Sequence, residues 1–127
     1  SEMCIRDSRY AHADIHGAPS VVVKNNGTPP SPNSMLEACC FSLAYSKAWA
    51  ARVASGHSFW VESDKVSKTP NTGEFLAKGS FVIRGKRNWN KNLEIDLAIG
   101  LVDYNGAEKL MGGPVIVLEN RSRKYVC

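Results

Sequence analysis

The feature that most constrains the fold of this chain is a helical segment that begins at Ser34. Ser34 and Glu37 have the spacing of a capping box, in which the hydroxyl and the carboxylate each satisfy a free backbone N–H at a helix start. Apolar side chains recur on one side of the segment from Leu36 to Val53. Gly56 suits the left-handed position that follows many helices. The pattern predicts one long helix from Ser34 to Gly56.

The residues before this helix have the composition of strands and a loop. Arg9–Lys24 has strand character and includes the β-branched run Val21–Val23. Gly17–Pro19 interrupts it, and a proline within a strand pattern predicts a bulge, an edge position or two short strands. Asn25–Asn33 is rich in residues that break regular structure and is predicted to be a loop.

Strand patterns dominate the chain after the helix. The predicted strands are Ser58–Ser63, Ser80–Arg84, Leu93–Asp103, Lys109–Met111 and Val115–Leu118. The Asn-Gly pair at 105–106 predicts a tight hairpin between the third and fourth of them. A chain of 127 residues is long enough for one domain with one core. This order of elements predicts an α+β fold, a mostly antiparallel sheet with the one long helix packed on one face.

Positive charge is concentrated in one part of the chain. Between Lys65 and Lys91 there are seven basic residues and one acidic residue, a net charge of +6 in a protein whose whole formal charge is +4. A polyanion such as RNA is the natural partner of so basic a segment. The same charge also fits a solvated face without a partner, or a basic surface that meets an acidic protein.

Several classes of protein are disfavoured by what the sequence lacks. No apolar run approaches the ~20 residues that a membrane helix requires, so no membrane partner is expected. Cys39 and Cys40 are neighbours, and consecutive residues on a helix do not face each other, which disfavours a disulfide between them. None of the cysteines has the spacing of a zinc site. We therefore expect reduced thiols, no metal and no cofactor.

A series of short motifs follows the order seen in a known domain family. It begins with His12–Lys24 and ends with Met111–Pro114. The motifs between these two are Leu36–Ala38, Tyr45–Trp49, Trp60–Val61, Val66–Lys68, Gly73–Leu76 and Gly79–Asn88. Together they resemble the NFACT-R domain, the RNA-binding module of the RqcH/NEMF-type ribosome-associated quality control proteins. The resemblance covers Tyr10 to about Tyr125.

The resemblance implies a non-enzymatic, cytoplasmic role in translation. Family members recognise a large ribosomal subunit that still holds a peptidyl-tRNA, and they help to recruit tRNA so that residues are added to the stalled nascent chain without a template. The implied partners are the rRNA of the large subunit, tRNA, and the N-terminal and coiled-coil modules of the parent protein. Because this chain does not include those modules, the resemblance implies an RNA contact here and not the elongation activity of the parent.

Candidate RNA-binding residues come mainly from the basic segment. Lysine and arginine would contact phosphate groups, which gives an affinity that falls steeply with salt. The candidates are Lys65, Lys68, Arg84, Lys86, Arg87, Asn88, His12 and His16. Gly85 would let the backbone approach RNA closely, and Asn88 would bond a base or a ribose. Trp89 has two interpretations, stacking on an exposed base or partial burial under the turn.

A second constellation consists of His12, Asp14 and His16. If a strand continued through them, the three side chains would share one face at steps of ~7 Å. Such a cluster supports an alternative function, a metal-dependent RNA-processing enzyme that uses these three residues. The favoured interpretation is that the cluster bonds the bend at Gly17–Ser20 and contributes to the RNA-facing surface.

Two further expectations concern domain bounds and the helix. Residues 1–9 are expected to be an artefactual or disordered tail, and residues 10–127 a single NFACT-R-like domain truncated at both ends. On the predicted helix, Trp49 is expected to fill the core and Ser46 to make a close contact between helix and sheet.

Overall fold

The described part of the chain forms three antiparallel sheets and two short helices. The computed structural model describes residues 8–24, 27–62, 66–67, 82–122 and 124–127. The strands are β1 Arg9–Ala13, β2 Val21–Val23, β3 Ser55–Glu62, β4 Val66–Ser67, β5 Val82–Ile83, β6 Asn88–Glu94, β7 Ala98–Tyr104, β8 Ala107–Gly113 and β9 Tyr125–Val126. The helices are α1 Pro32–Ala44 and α2 Val115–Arg121. The sheets have the strand orders β2-β1-β3-β6, β4-β5 and β8-β7-β9.

The first helix starts earlier than predicted. Ser31 is its N-cap, and the Ser31 hydroxyl accepts a hydrogen bond from the Ser34 N–H at 3.1 Å. Pro32 follows at the first helical position, where its missing N–H costs nothing. The predicted capping box is wrong, because Ser34 lies inside the helix and Glu37 is buried in a contact with α2.

The first helix also ends much earlier than predicted. The Ser46 hydroxyl donates to Leu43 O at 2.6 Å and accepts from the Ala48 N–H at 3.1 Å. Such local serine bonds compete with the helical ladder. Hydrogen-bonded turns follow, and Arg52 has a left-handed φ of 56°. Gly56, the predicted cap of the helix, lies within β3.

Small side chains let α1 pack closely on one face of the four-stranded sheet. Ala38 and Cys39 form a buried cluster with Ala11 of β1. The Ser42 hydroxyl accepts from the Ala13 N–H and donates to Pro19 O, both at 2.7 Å. One helical side chain thereby satisfies backbone groups of β1 and of the bend before β2. The predicted strand Arg9–Lys24 is thus two short strands, one of the three outcomes expected from Gly17–Pro19.

The second helix replaces a predicted strand. The sequence pattern favours β structure over Val115–Leu118, but the chain is helical over Val115–Arg121. A run of four apolar residues does not distinguish a buried strand from a buried helix. Two features outside the run select the helix: Pro114 precedes it, and a carboxylate oxygen of Asp96 accepts the Val115 N–H at 3.1 Å.

The hairpin between β7 and β8 is confirmed. Asn105 and Gly106 both have positive φ angles, 52° and 79°, as the favoured two-residue hairpin turn requires. Tyr104 and Ala107 pair on either side of the turn. The single strand predicted over Leu93–Asp103 is instead shared between β6 and β7, with residues 95–97 outside both.

The predicted fold class is wrong. The described residues are mostly β, in separate antiparallel sheets with two short helices, rather than one sheet with a single long helix on one face. The error has one main source, since the apolar pattern between Leu36 and Val53 continues across a helix end that it does not reveal. In the described part of the chain, no helix is long and apolar enough to cross a membrane.

A buried carboxylate joins the two helices. Glu37 of α1 is 8% exposed and accepts a hydrogen bond from the Asn120 amide at 3.0 Å. Arg121 at the end of α2 forms an ion pair with the same carboxylate. Phe41, one turn along α1, packs against the cluster that includes Val117 and Leu118. The first helix therefore packs both against the four-stranded sheet and against the cluster that contains α2.

The Glu37 ion pair generates a stability prediction. Changing Arg121 to Ala would leave the carboxylate buried with the Asn120 amide as its remaining side-chain partner. We expect the free energy of unfolding to fall by about 1–3 kcal/mol, measured by urea denaturation near neutral pH. The matched control is Lys124→Ala, which removes an exposed cation and should change stability by less than ~0.5 kcal/mol. Equal effects of the two substitutions would contradict this account.

The buried Cys40 thiol generates a pH prediction. Burial, together with the nearby charges of Cys39, Asp96 and Glu37, raises its pKa from an ordinary value of 9.0 to about 11. Between those two pH values the unfolded chain loses the thiol proton while the folded protein keeps it. Stability should therefore fall as pH rises from 9 to 11, and a Cys40→Ala variant should lose less. Urea midpoints of both proteins, measured in reductant at both pH values, test this. An equal fall of the midpoint in the wild type and in Cys40→Ala would refute it.

Candidate nucleic-acid interface

The face of the four-stranded sheet opposite α1 carries a row of rings across three strands. In the strand register His12 of β1 lies beside Phe59 of β3, and Phe59 lies beside Trp89 of β6. The Phe59 and Trp89 rings meet at 61° with their centroids 5.2 Å apart. The His12 ring lies 6.2 Å from Phe59 and is stacked on Tyr10 at 6.2 Å. We call His12, Phe59 and Trp89 the ring row.

The middle of the ring row is buried and its outer end is open. Phe59 is 3% exposed and belongs to a cluster with Tyr10 and Val61, against which Ile83 of β5 packs. Trp89 is 41% exposed. The buried Phe59 ring therefore supports the accessible Trp89 ring.

An arginine covers the same phenylalanine. The Arg87 guanidinium carbon lies 4.6 Å from the centre of the Phe59 ring, within the range of a cation–π contact. Arg87 itself is exposed, and so is Lys91 on the other side of Trp89. The Arg87 side chain reaches the Phe59 face of the sheet from just before β6, and Lys91 follows Trp89 where the pairing of β3 and β6 shifts register. We call Arg87, Trp89 and Lys91 the edge strip, because β6 is the last strand of its sheet.

The turn before the edge strip is basic. Gly85 has a φ of 81°, a conformation that glycine adopts without strain, and it leads the chain from β5 towards β6. Lys86 is exposed, and Arg84 is half-buried and has contacts of its own. Lys65 and Lys68 lie outside the described residues. Of the predicted lysines and arginines that the structure describes, Arg87 contacts the ring row, and Lys86 is exposed directly before it.

Asn88 does not face the open side. Its amide nitrogen donates to Trp60 O at 3.2 Å, on the neighbouring strand of the sheet. The next polar side chain of β6 on that side, Asn90, lies 3.5 Å from the sulfur of Cys39. Both asparagines thus point towards α1, away from Trp89. The predicted contact of Asn88 with a base or ribose stays a prediction, and this geometry does not favour it.

The two predicted histidines have different environments. His12 Nδ1 lies 2.6 Å from Ala13 O, and because a carbonyl can only accept, Nδ1 carries the shared proton. The strand ends at Ala13, so the alternation that would align Asp14 and His16 with His12 does not continue. His16 is exposed in the following turn, and the Asp14 N–H donates to His57 O at 2.8 Å.

This arrangement gives the alternative function little support. Within the described ranges, no group of three or more histidine, cysteine, aspartate or glutamate residues is placed to hold a metal ion. Tyr10, the ionisable group stacked on His12, is bonded to the Ser20 hydroxyl at 2.8 Å. Burial raises the pKa of Tyr10, which keeps the phenol neutral at physiological pH.

Trp49 and Ser46 have environments that differ from those predicted from the sequence, and two further candidate residues were not predicted at all. Trp49, expected in the core, is 48% exposed, and its indole N–H donates to Ala44 O. Ser46 is buried, yet its bonds are to its own turn rather than to the sheet. Phe59 and Lys91 are absent from the predicted site residues. Lys91 belongs to the basic segment that ends with it, which is a usable signal, whereas nothing local indicates that Phe59 underlies Arg87.

Comparison with known proteins places this chain beside RNA-binding modules. The family model of the NFACT protein RNA binding domain matches residues 2–85. The archaeal Rqc2 homolog aRqcH of Methanocaldococcus jannaschii is 35% identical over 121 residues, which cover 95% of this chain and 18% of the relative. The ribosome quality control complex subunit NEMF of Homo sapiens is 52% identical over 81 residues, which cover 63% of this chain and 7% of the relative.

A relative from Drosophila melanogaster is similar over a comparable part of the chain. This ribosome quality control complex subunit NEMF homolog is 46% identical over 94 residues, or 73% of this chain and 9% of the relative. The chain thus spans less than a fifth of the length of these relatives. No solved structure matches it.

Proposed function

Since this chain belongs to the NFACT family of RNA-binding domains of ribosome quality control proteins, we propose that the turn before β6 and the edge strip bind RNA. The RNA would be rRNA of a large ribosomal subunit that carries a peptidyl-tRNA, together with tRNA. In this role the domain helps its parent protein to recruit tRNA for untemplated tailing of stalled nascent chains. The domain itself contributes binding rather than catalysis, in the cytoplasm.

The observation that carries this proposal is the fixed position of Arg87. Its guanidinium lies against the buried Phe59 ring, so less side-chain freedom remains to be lost when it meets a phosphate. Lys86 is exposed directly before it. Two adjacent cations beside an exposed tryptophan match what a single RNA strand offers, a charged backbone and planar bases.

The charge distribution supports the same proposal. The segment from Lys65 to Lys91 holds a net charge of +6, more than the +4 of the whole chain. A concentration of this kind attracts a polyanion over a distance set by ionic strength. The N-terminal and coiled-coil modules of the parent would add their own contacts to the ribosome, so the affinity of this domain alone is expected to be modest.

A double substitution tests the proposal. We expect Lys86→Ala/Arg87→Ala to weaken binding to purified large ribosomal subunits and to tRNA, and to lower the slope of log affinity against log salt by roughly one to two units. The variant retains Arg84, whose contacts within the fold make its removal ambiguous. Fluorescence anisotropy of labelled tRNA across a salt titration gives both quantities.

A matched control removes the same charge from elsewhere. Lys109→Ala/Lys124→Ala deletes two exposed lysines of the β7–β9 region, on another part of the surface. Equal losses in both double variants would mean that only net charge matters, and that the turn before β6 is not the site. Absence of binding to both RNAs at low salt would overturn the proposal and redirect attention to an acidic protein partner.

A further inference from the structure

We infer that Trp89 is a stacking platform for an unpaired RNA base, so that the edge strip takes single-stranded rather than duplex RNA. The inference rests on the proposed function, and it names the class of RNA that this site recognises. It is carried by the exposure of Trp89, by its unused hydrogen-bond donor, and by its position between two cations.

The Trp89 ring and its indole N–H are both open to a ligand. The indole is 41% exposed although it lies beside Phe59, which is almost fully buried. Among the residues that the structure describes, the Trp89 indole N–H has no hydrogen-bond partner. Trp49, which is exposed to a similar extent, donates its indole N–H to Ala44 O. Of these two exposed tryptophans, Trp89 therefore keeps both ring surface and donor available to a ligand.

The platform is held in place before any ligand arrives. Phe59 contacts Trp89 from one direction and is itself covered by the Arg87 guanidinium. Phe59 belongs to the cluster with Tyr10 and Val61, so its own position is fixed by the core. A ring supported in this way loses little conformational entropy when a base stacks on it.

The neighbours of Trp89 suit a strand of RNA that runs along β6. Arg87 precedes Trp89 by two residues and Lys91 follows it by two, and both are exposed, so the indole has a cation on each side of it along the chain. In this arrangement the two cations contact phosphates while the indole contacts a base. A duplex offers the phosphates, but its bases are already stacked on each other and cannot reach the ring. Two cations alone would suffice for duplex binding, so the tryptophan adds a preference for unpaired nucleotides.

The test compares the binding of three ligands that have the same backbone length. They are an oligouridine of about twelve nucleotides, an abasic oligomer of the same length and a duplex of that length, a size that one such module spans. For the 127-residue chain, we expect Trp89→Ala to weaken oligouridine binding by about tenfold, as the loss of one stacked base predicts. Affinity for the abasic oligomer and for the duplex should change by less than about twofold.

Fluorescence gives an independent readout. Oligouridine should quench part of the tryptophan emission of the wild-type chain, and the abasic oligomer should not. The quenching should disappear in Trp89→Phe and persist in the matched control Trp49→Phe, which changes the exposed tryptophan that follows α1. Because phenylalanine keeps an aromatic ring, Trp89→Phe also retains part of the oligouridine affinity and serves as the second variant if Trp89→Ala does not fold.

The outcomes separate the two proposals. If the wild-type chain binds none of the three ligands, and no large subunits or tRNA either, the proposed RNA function fails. If it binds all three with equal affinity and Trp89→Phe leaves both affinity and quenching unchanged, RNA binding stands and the stacking inference is overturned. A preference for oligouridine that disappears in Trp89→Ala and persists in Trp49→Phe supports both.

Discussion

The close packing of α1 on the four-stranded sheet is the contact from which the remaining architecture follows. It requires small residues on the helix, since Ala38 and Cys39 lie directly over Ala11. At such close range a backbone N–H cannot reach water, and the Ser42 hydroxyl supplies the missing partner by bridging Ala13 and Pro19. The same two bonds fix the bend between β1 and β2.

The other side of α1 determines how the second part of the chain is attached. Phe41 packs into the cluster of α2 and β7, and Glu37 accepts bonds from the end of α2. A buried carboxylate tolerates little displacement of its partners, because any gap leaves a charge without compensation. We therefore infer that the apolar contact stabilises the attachment of α2 and that the ion pair restricts its orientation.

Because α1 occupies one face of the sheet, the ring row occupies the other. Phe59 is a core residue of that face and also supports Arg87 and Trp89, which we propose to bind RNA. Trp89 lies on β6, and Arg87 in the turn before β6 is held against Phe59, which keeps the geometry of these proposed binding groups defined before the ligand arrives. In the proposed function, this division of the sheet into a face packed on α1 and a face that carries the ring row connects the fold to RNA binding.

Residues that are neighbours in the chain were enough to predict the family and the Asn105–Gly106 hairpin, and they indicated that Gly17–Pro19 interrupts the first strand without deciding how. Local charge predicts Lys86 and Arg87 as RNA-binding residues, and this stays a prediction. The end of α1, the helical state of Val115–Leu118 and the direction of Asn88 emerged only from the folded chain. In each of these cases a partner distant in sequence or a competing local hydrogen bond outweighs the local pattern, and apolar periodicity contains no information about that partner. The ring row belongs to the second group, since its members come from three strands and meet only through the register of the sheet.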